Sequence, residues 1–438
     1  MSTVGLPYLA EENDLFGTGA TDMVIGPEGI REHCERALRE WNIAGKKVLV
    51  LIPDSTRSCP VDEFFKALSE IATPDVARLD YLIALGTHPP MDDEAIERLL
   101  GMPKPEREKK FPKTTVYNHL WKDPDALVSV GKIPAADIAS ITEGRFEMEV
   151  DIVINKMVFD YDMLVILGPV FPHEVVGFSG GNKYLFPGVA GEEIINFFHW
   201  FGALITNPRI IGNAYTPVRA IVDRAADMVD RPKRCIALVV TGDDLKGVYC
   251  GTPEEAWAEA AKLSDKLHIV YKDRSYDSVL SCSPRMYDDI WTGGKCMYKL
   301  EPVVADGGEL IIYAPHITEI SYSHGKVLDE IGYHTRDFFV ENWEKYKGYP
   351  WGVVAHSTHV RGIGEMVDGV EKCRVSVTLA TGISEERCRK VSLGYRDPAS
   401  IDPADWQDRE DDGRLYVPHA GETLHRLAQP PDWQKPGP

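Results

Sequence analysis

The sequence predicts an α/β protein built as two α/β domains with largely parallel sheets and an active-site cleft between them. Three observations predict it. Apolar, β-rich runs alternate with amphipathic helical stretches, each run ends in a polar loop, and 438 residues exceed what one hydrophobic core usually fills.

Taken in order, residues 46–53 (KKVLVLIP) read as a buried strand, 54–60 (DSTRSCP) as its exit loop and 61–72 (VDEFFKALSEIA) as an amphipathic helix. Residues 79–85 (LDYLIAL) form the next strand and 86–90 (GTHPP) its loop. A helix at 92–100 carries acidic residues in its first turn, where the helix dipole favours them. Residues 163–167 (MLVIL) make a third strand, which leads into the long loop 168–191. Residues 234–240 (RCIALVV) read as the last central strand of this unit, with a helix at 254–266. A second set has strands at 278–281, 309–313 and 374–379 and helices near 291–304, 326–331 and 337–346. The expected organisation is therefore a first domain over 1–270 carrying the loops at the strand ends and a second over 271–404 closing on them. A Pro-rich segment over 405–438 returns to the first domain and ends loosely. Such an alternation implies parallel sheets with right-handed crossovers, whose ligands bind beyond the C-terminal strand ends.

A formal charge of −20 excludes nucleic acid and anionic membrane as natural partners, because both need a positive field. No apolar run approaches the roughly 18 residues that cross a bilayer. The start (MSTVGLP) has neither the basic end nor the apolar stretch of a secretory signal, so a cytoplasmic location is expected. Eight scattered cysteines without a CxxC pair indicate neither a disulfide framework nor a zinc ribbon.

The loop 172–183 (PHEVVGFSGGNK) carries the most chemistry. Gly177, Gly180 and Gly181 let backbone amides crowd an anion, with Ser179 between them and Lys183 adding a point charge. It is not a Walker A loop, since Asn182-Lys183-Tyr184 stands where Gly-Lys-Ser/Thr is needed. A tight turn with a solvated lysine is the plain alternative, and His173 at the strand exit tips the balance towards chemistry. His199, in the apolar stretch 194–201, reads either as a satisfied core residue or as a metal ligand kept neutral by dry surroundings. His88 follows a strand directly, its loop stiffened by two prolines. At the equivalent exit of the first strand stand Asp54, which suits orienting a histidine, Thr56, and Arg57, which suits gripping a carboxylate. Thr292 and Lys295 share a helical face after Trp291. His356 and His359 sit three apart on an expected helix, and a surface or packing role is the reading they receive. From these parts alone follows a cleft enzyme acting on a small anion. His88 and His173 would face opposite sides of a stereocentre, and Arg57 and Lys295 would hold a carboxylate from both domains.

DSTR (54–57), GTH (86–88) and HxxxGFSGGxK (173–183), followed by His199, resemble the nickel-dependent lactate racemase family. The resemblance implies a nickel-pincer nucleotide, a nicotinic acid mononucleotide with two sulfur-bearing groups, joined as a thioamide to Lys183. It implies Ni(II) held by the cofactor's carbon and sulfurs and by His199, a donor set that suits the metal. His88 and His173 match the family's acid/base pair, Arg57 and Lys295 its substrate-carboxylate ligands, and Asp54 its acidic residue in the same loop. The glycine-rich turn, with Thr56, Ser179, Gly177, Gly180 and Gly181, would lie against the cofactor. The implied reaction moves the α-hydrogen of a 2-hydroxy acid as hydride, through a planar 2-keto acid, and depends on cofactor-maturation enzymes as partners. The chain departs from the family at Thr292, where lactate racemases carry glutamine. Threonine leaves more room there, and with Trp291 it points to a 2-hydroxy acid other than lactate, sugar acids included. Two further readings compete: a zinc hydrolase using His88, His173 and His199, and a two-domain anion binder without chemistry.

Overall fold

In the computed structural model, which describes residues 14–435 apart from 57, 87, 142, 143 and 145, the apolar runs assemble into two sheets. The first comprises β1 (Phe16–Gly19), β2 (Lys47–Ile52), β3 (Arg78–Ile83), β4 (Val116–Asn118), β5 (Met163–Pro169), β6 (Lys233–Thr241) and β7 (Asp244–Gly251). Their order is β1-β7-β6-β5-β2-β3-β4. The five strands from β6 to β4 are parallel, and β7 and β1 run antiparallel at one edge. All of β5 is buried, as both faces of a parallel sheet are covered. β6 is not the last strand of the unit. The chain turns at Gly242, whose φ of 59° is in the left-handed region, and pairs back as β7 (DLKGVYCG), whose buried Leu245, Val248 and Cys250 are too interrupted to form an apolar run.

From β2 the chain moves to β3 and β4 on one side, then returns to β5 on the other side of β2 and proceeds to β6. The order therefore reverses between β2 and β5, and the crevice outside their C-terminal ends is where open α/β sheets bind ligands. Asp54, His88 and His173 all follow strands at that end.

The second sheet comprises β8 (Tyr276–Cys282), β9 (Val304–Ala314), β10 (Ser376–Thr381), β11 (Gly394–Tyr395) and β12 (Arg414–Val417), in the order β11-β10-β9-β8-β12 and all parallel. The segment 405–438 supplies β12 to this sheet, and its strand Leu424–Leu427 pairs with Ile269–Lys272. Its Pro-rich end is held rather than loose over the described residues. Gln434 is buried, its side-chain amide donates to the Pro302 carbonyl at 2.6 Å, and Arg426 donates to the Gln434 carbonyl at 2.8 Å. The helix expected near 291–304 is broken into Ile290–Gly293, Lys295–Tyr298 and a 3-10 turn at Glu301–Val303, with Gly293 and Gly294 at the first break.

The expected helices over 61–72 and 92–100 form as α1 (Val61–Ala72) and α2 (Asp93–Leu100). α1 buries Val61, Phe64, Phe65, Leu68 and Ala72 on one stripe. α2 starts at Asp92, which accepts from the Ala95 amide at 2.8 Å. α3 (Glu192–Ile205) has a different task. Its Ile194, Phe197, Phe198 and Phe201 belong to the core of the first sheet, whereas Trp200, Ala203 and Leu204 belong to that of the second. Trp200 stacks on Trp343 at 4.8 Å, and the Gly352 amide at the start of α4 (Trp351–Arg361) donates to Asn196 Oδ1 at 3.1 Å. A helix apolar on nearly every side is thus explained by two cores meeting on it. Among the described residues no helix is long and apolar enough to cross a membrane.

Candidate functional site

At the exit of β2, Asp54 is buried, and its Oδ1 accepts from the Thr56 amide (3.1 Å) and hydroxyl (2.5 Å). Its Oδ2 meets His88 Nδ1 at 2.5 Å across the β3 exit loop. A carboxylate oxygen accepts, so Nδ1 carries the proton and the Nε2 lone pair of His88 is left available. The ring is half exposed. Its loop is fastened by the Trp121 indole, which donates to the His88 carbonyl at 3.2 Å. The Gly86 amide donates to Gly188 O (2.9 Å), and the Gly188 amide to Lys183 O (3.0 Å). The His88 loop and the Lys183 turn are therefore strapped together through one residue. Arg57 lies outside the described residues.

Beyond β5, Pro172–His173 pairs with Gly177–Phe178 as a short antiparallel hairpin. Gly177 sits at φ 90°, and a Cβ there would lie 2.0 Å from Asn213 O, so a side chain has neither the backbone conformation nor the space. His173 is buried, and its Nδ1 accepts from the Val175 amide at 3.1 Å, which leaves the proton of the neutral ring on Nε2. Through their partners His88 and His173 thus hold opposite tautomers: the first offers a lone pair at Nε2, the second a proton.

The rest of the glycine-rich segment is braced from behind. The Ser179 hydroxyl donates to Pro169 O and accepts from the Phe171 amide, each at 2.9 Å. Arg219 donates to the carbonyls of Phe178 and Gly180, Trp257 Nε1 donates to Ser179 O at 2.8 Å, and the two side chains stack at 4.3 Å. Asn182 is buried and donates to Asp223 (3.0 Å) and Glu254 (2.5 Å). This fixes the 3-10 turn Gly181–Tyr184, on which Lys183 is half-buried.

His199 lies on α3 with its Nδ1 2.7 Å from the Ile195 carbonyl. A carbonyl only accepts, so Nδ1 donates and Nε2 presents its lone pair. Burial lowers the pKa of the ring and keeps it neutral. The Ile195 carbonyl and the Glu174 carboxylate oppose that shift, and the charges of Lys183 and His88 add to it. Lys183, His88 and Glu174 are accordingly all within electrostatic reach of this one imidazole.

From the second sheet, Lys295 is half-buried with its Nζ 4.9 Å from the Tyr287 ring centroid. The Thr292 hydroxyl is spent on Asp289 Oδ1 (2.9 Å), which also caps the Thr292 amide. Trp291 lies against His356 (4.1 Å between centroids) and His324 (4.4 Å). Glu174 joins the two sides. Burial alone would raise its pKa, but His173 beside it (Nδ1 to Oε2 3.6 Å), its own backbone amide, His359 and Lys295 hold the carboxyl well below the usual range.

Sequence reasoning passed over Glu174 and gave His356 and His359 a surface or packing role. Both histidines are buried on α4, and their Nε2 atoms have no hydrogen-bond partner among the described residues. Burial pushes the His356 pKa down to about 3, helped by His359, and that of His359 to about 4. The i, i+3 spacing was the available signal. Among the described residues no three His, Cys, Asp or Glu side chains are grouped to hold a metal, so His88, His173 and His199 do not form the three-histidine zinc site considered above.

The sequence of residues 30–210 matches the family model for the lactate racemase N-terminal domain. A lactate racemase of Lactiplantibacillus plantarum is 29% identical over 170 residues, 38% of this chain and 35% of that one. A lactate racemase of Thermoanaerobacterium thermosaccharolyticum is 25% identical over 301 residues, 64% and 62% of the two chains, so the matches span less than two thirds of either relative. A crystal structure of a Thermotoga maritima protein superposes with a TM-score of 0.81 at 33% identity, covering 92% of this chain and 98% of that one. The lactate racemase apoprotein of T. thermosaccharolyticum gives 0.68 at 19% identity over 91% and 93%, a likeness of fold.

Proposed function

The chain belongs to the lactate racemase family, and from that premise we propose that it is an isomerase that racemises or epimerises a 2-hydroxy acid. A nickel-pincer nucleotide, when bound, supplies a hydride acceptor and donor beside the substrate's C2. The residues present fit that group. Lys183 is held on a rigid turn for covalent attachment. His199, half-buried, offers a neutral, oriented Nε2, the one protein ligand needed when the remaining donors belong to the cofactor.

The observation that carries the reading is the complementary pair of tautomers. His88, its Nδ1 proton taken up by Asp54, accepts the hydroxyl proton at Nε2 as the substrate is oxidised, and Asp54 stabilises the imidazolium. His173, whose Nε2 would reach the same oxygen from its own side, would return a proton there as the doubly protonated ring and be left as the neutral Nε2 tautomer, while His88 passes its extra proton back through exchange with solvent. Exchange of roles runs the reaction in the other direction. Lys295, with Arg57 by expectation, holds the carboxylate, and the braced glycine-rich segment keeps His173 and Lys183 in register with it. The net charge of −20 makes this gathering of cations a local exception on an acidic protein.

The test is intact mass and peptide mapping of protein produced together with the cofactor-building enzymes. A covalent adduct is expected on Lys183, absent from Lys183→Ala, and His199→Ala should keep the adduct but lose nickel. Unmodified Lys183 in material that racemises a 2-hydroxy acid sinks the proposal.

A further inference from the structure

Two buried imidazole nitrogens on α4 have no hydrogen-bond partner among the described residues. They are the Nε2 atoms of His356, 8% exposed, and His359, 4% exposed. Their surroundings place them on the substrate side. The His356 ring lies on Trp291 at 4.1 Å, its Cε1 is 3.1 Å from where a Cβ on Gly294 would stand, next to Lys295, and both histidines are within electrostatic reach of Glu174 and His199. Buried polar atoms in folded proteins are paired, and an exception calls for an explanation.

We propose that Glu174, His356 and His359 form a polar wall that reads the part of the substrate beyond C2, and that the substrate is a polyhydroxy acid of the aldonate kind. This rests on the racemase reading above. A hydroxyl both donates and accepts, so it can satisfy a neutral imidazole nitrogen of either tautomer and can donate to the Glu174 carboxylate. An alkyl or aryl chain would leave both nitrogens unpaired. A second carboxylate would meet the charge of Glu174, and beyond Lys295, which holds the first carboxylate, burial leaves only unprotonated imidazoles to offset it. The face of Trp291 suits the C–H face of such a chain, and Thr292 contributes space, its hydroxyl being already bound to Asp289.

The experiment uses the cofactor-loaded protein with gluconate, 2-hydroxyhexanoate, malate and lactate, following configuration at C2. Gluconate and 2-hydroxyhexanoate share a six-carbon chain and differ only in hydroxyls. Gluconate is expected to exceed 2-hydroxyhexanoate in kcat/KM by about ten- to a hundredfold or more. His356→Phe and His359→Leu should each remove most of that ratio without lowering Tm, because an unpaired polar atom is replaced by an apolar one, and His359→Gln should restore part of it. A preference for 2-hydroxyhexanoate or malate overturns the proposal. So does an unchanged ratio with a lowered Tm in His359→Leu, the outcome if a water in the 20 Å³ cavity beside His359 is its true partner. If no 2-hydroxy acid is converted, the racemase reading fails. Calorimetric binding of gluconate against 2-hydroxyhexanoate to wild type and variants then decides the wall by itself: equal binding of the two acids overturns it.

Discussion

Two pairs of histidines differ in how their rings are held. His88 and His173, at strand exits of the first sheet, each have one ring nitrogen engaged, by Asp54 and by the Val175 amide. His356 and His359, on α4, have no hydrogen-bond partner for their Nε2 atoms among the described residues. The difference follows from where each pair is mounted. A loop leaving a strand has backbone amides and short polar side chains to spare, so a histidine there finds a local partner. A helix spends its amides on itself, so a buried histidine on it must be satisfied by the opposing element or by a ligand. Local partners fix tautomers and suit proton transfer. Unbonded ones suit recognition.

Removing chemistry from the first pair should have the largest effect. His88→Ala and His173→Ala are each expected to lower kcat about 10²- to 10⁴-fold in loaded protein while nickel content stays at wild-type level. Retained racemisation in either variant would erase the contrast between the pairs. Asp54→Asn should cost less, about 10- to 100-fold in kcat with KM little changed, because it removes the acceptor that orients His88 but not the ring itself. A change confined to KM would assign Asp54 to binding instead.

The second pair should show itself in stability. His356 and His359 titrate near 6.5 in the unfolded chain but only at about 3 and about 4 when folded. Below pH 6.5 the unfolded state binds the extra protons, so stability falls as pH drops towards 4, by about 2 kcal/mol per histidine at pH 5. Denaturant melts of His356→Phe at pH 7 and pH 5 should show a smaller loss between the two than wild type. An equal loss would mean that His356 is hydrated or paired in solution.

Much of the first sheet and its helices was legible. Strands 47–52 and 78–83, and helices 61–72 and 93–100, follow from apolar periodicity and from Asp92 as a cap, all of them local signals. The spacing of the glycine-rich loop was legible for the same reason: φ 90° and the approach of Asn213 O at Gly177 demand glycine whatever lies around it. β7 was not legible, because its buried Leu245, Val248 and Cys250 are separated by polar residues and glycine and make no continuous apolar run. The firm hold on Gln434 was hidden too, since its partner carbonyl lies 132 residues away. Glu174 stood in plain view beside His173, but its meaning depends on Lys295 and His359, which only folding brings near.

By itself, then, the sequence determined the parallel α/β plan, the polar loops at the strand ends and the family to which their motifs point, because each depends on residues close together in the chain. The tertiary structure alone decided that the strand order reverses between β2 and β5, that α3 carries His199 between two cores, and that two helical histidines turn inward beside it. Those outcomes depend on which surfaces meet, and contacts between distant segments leave no periodic trace in either segment.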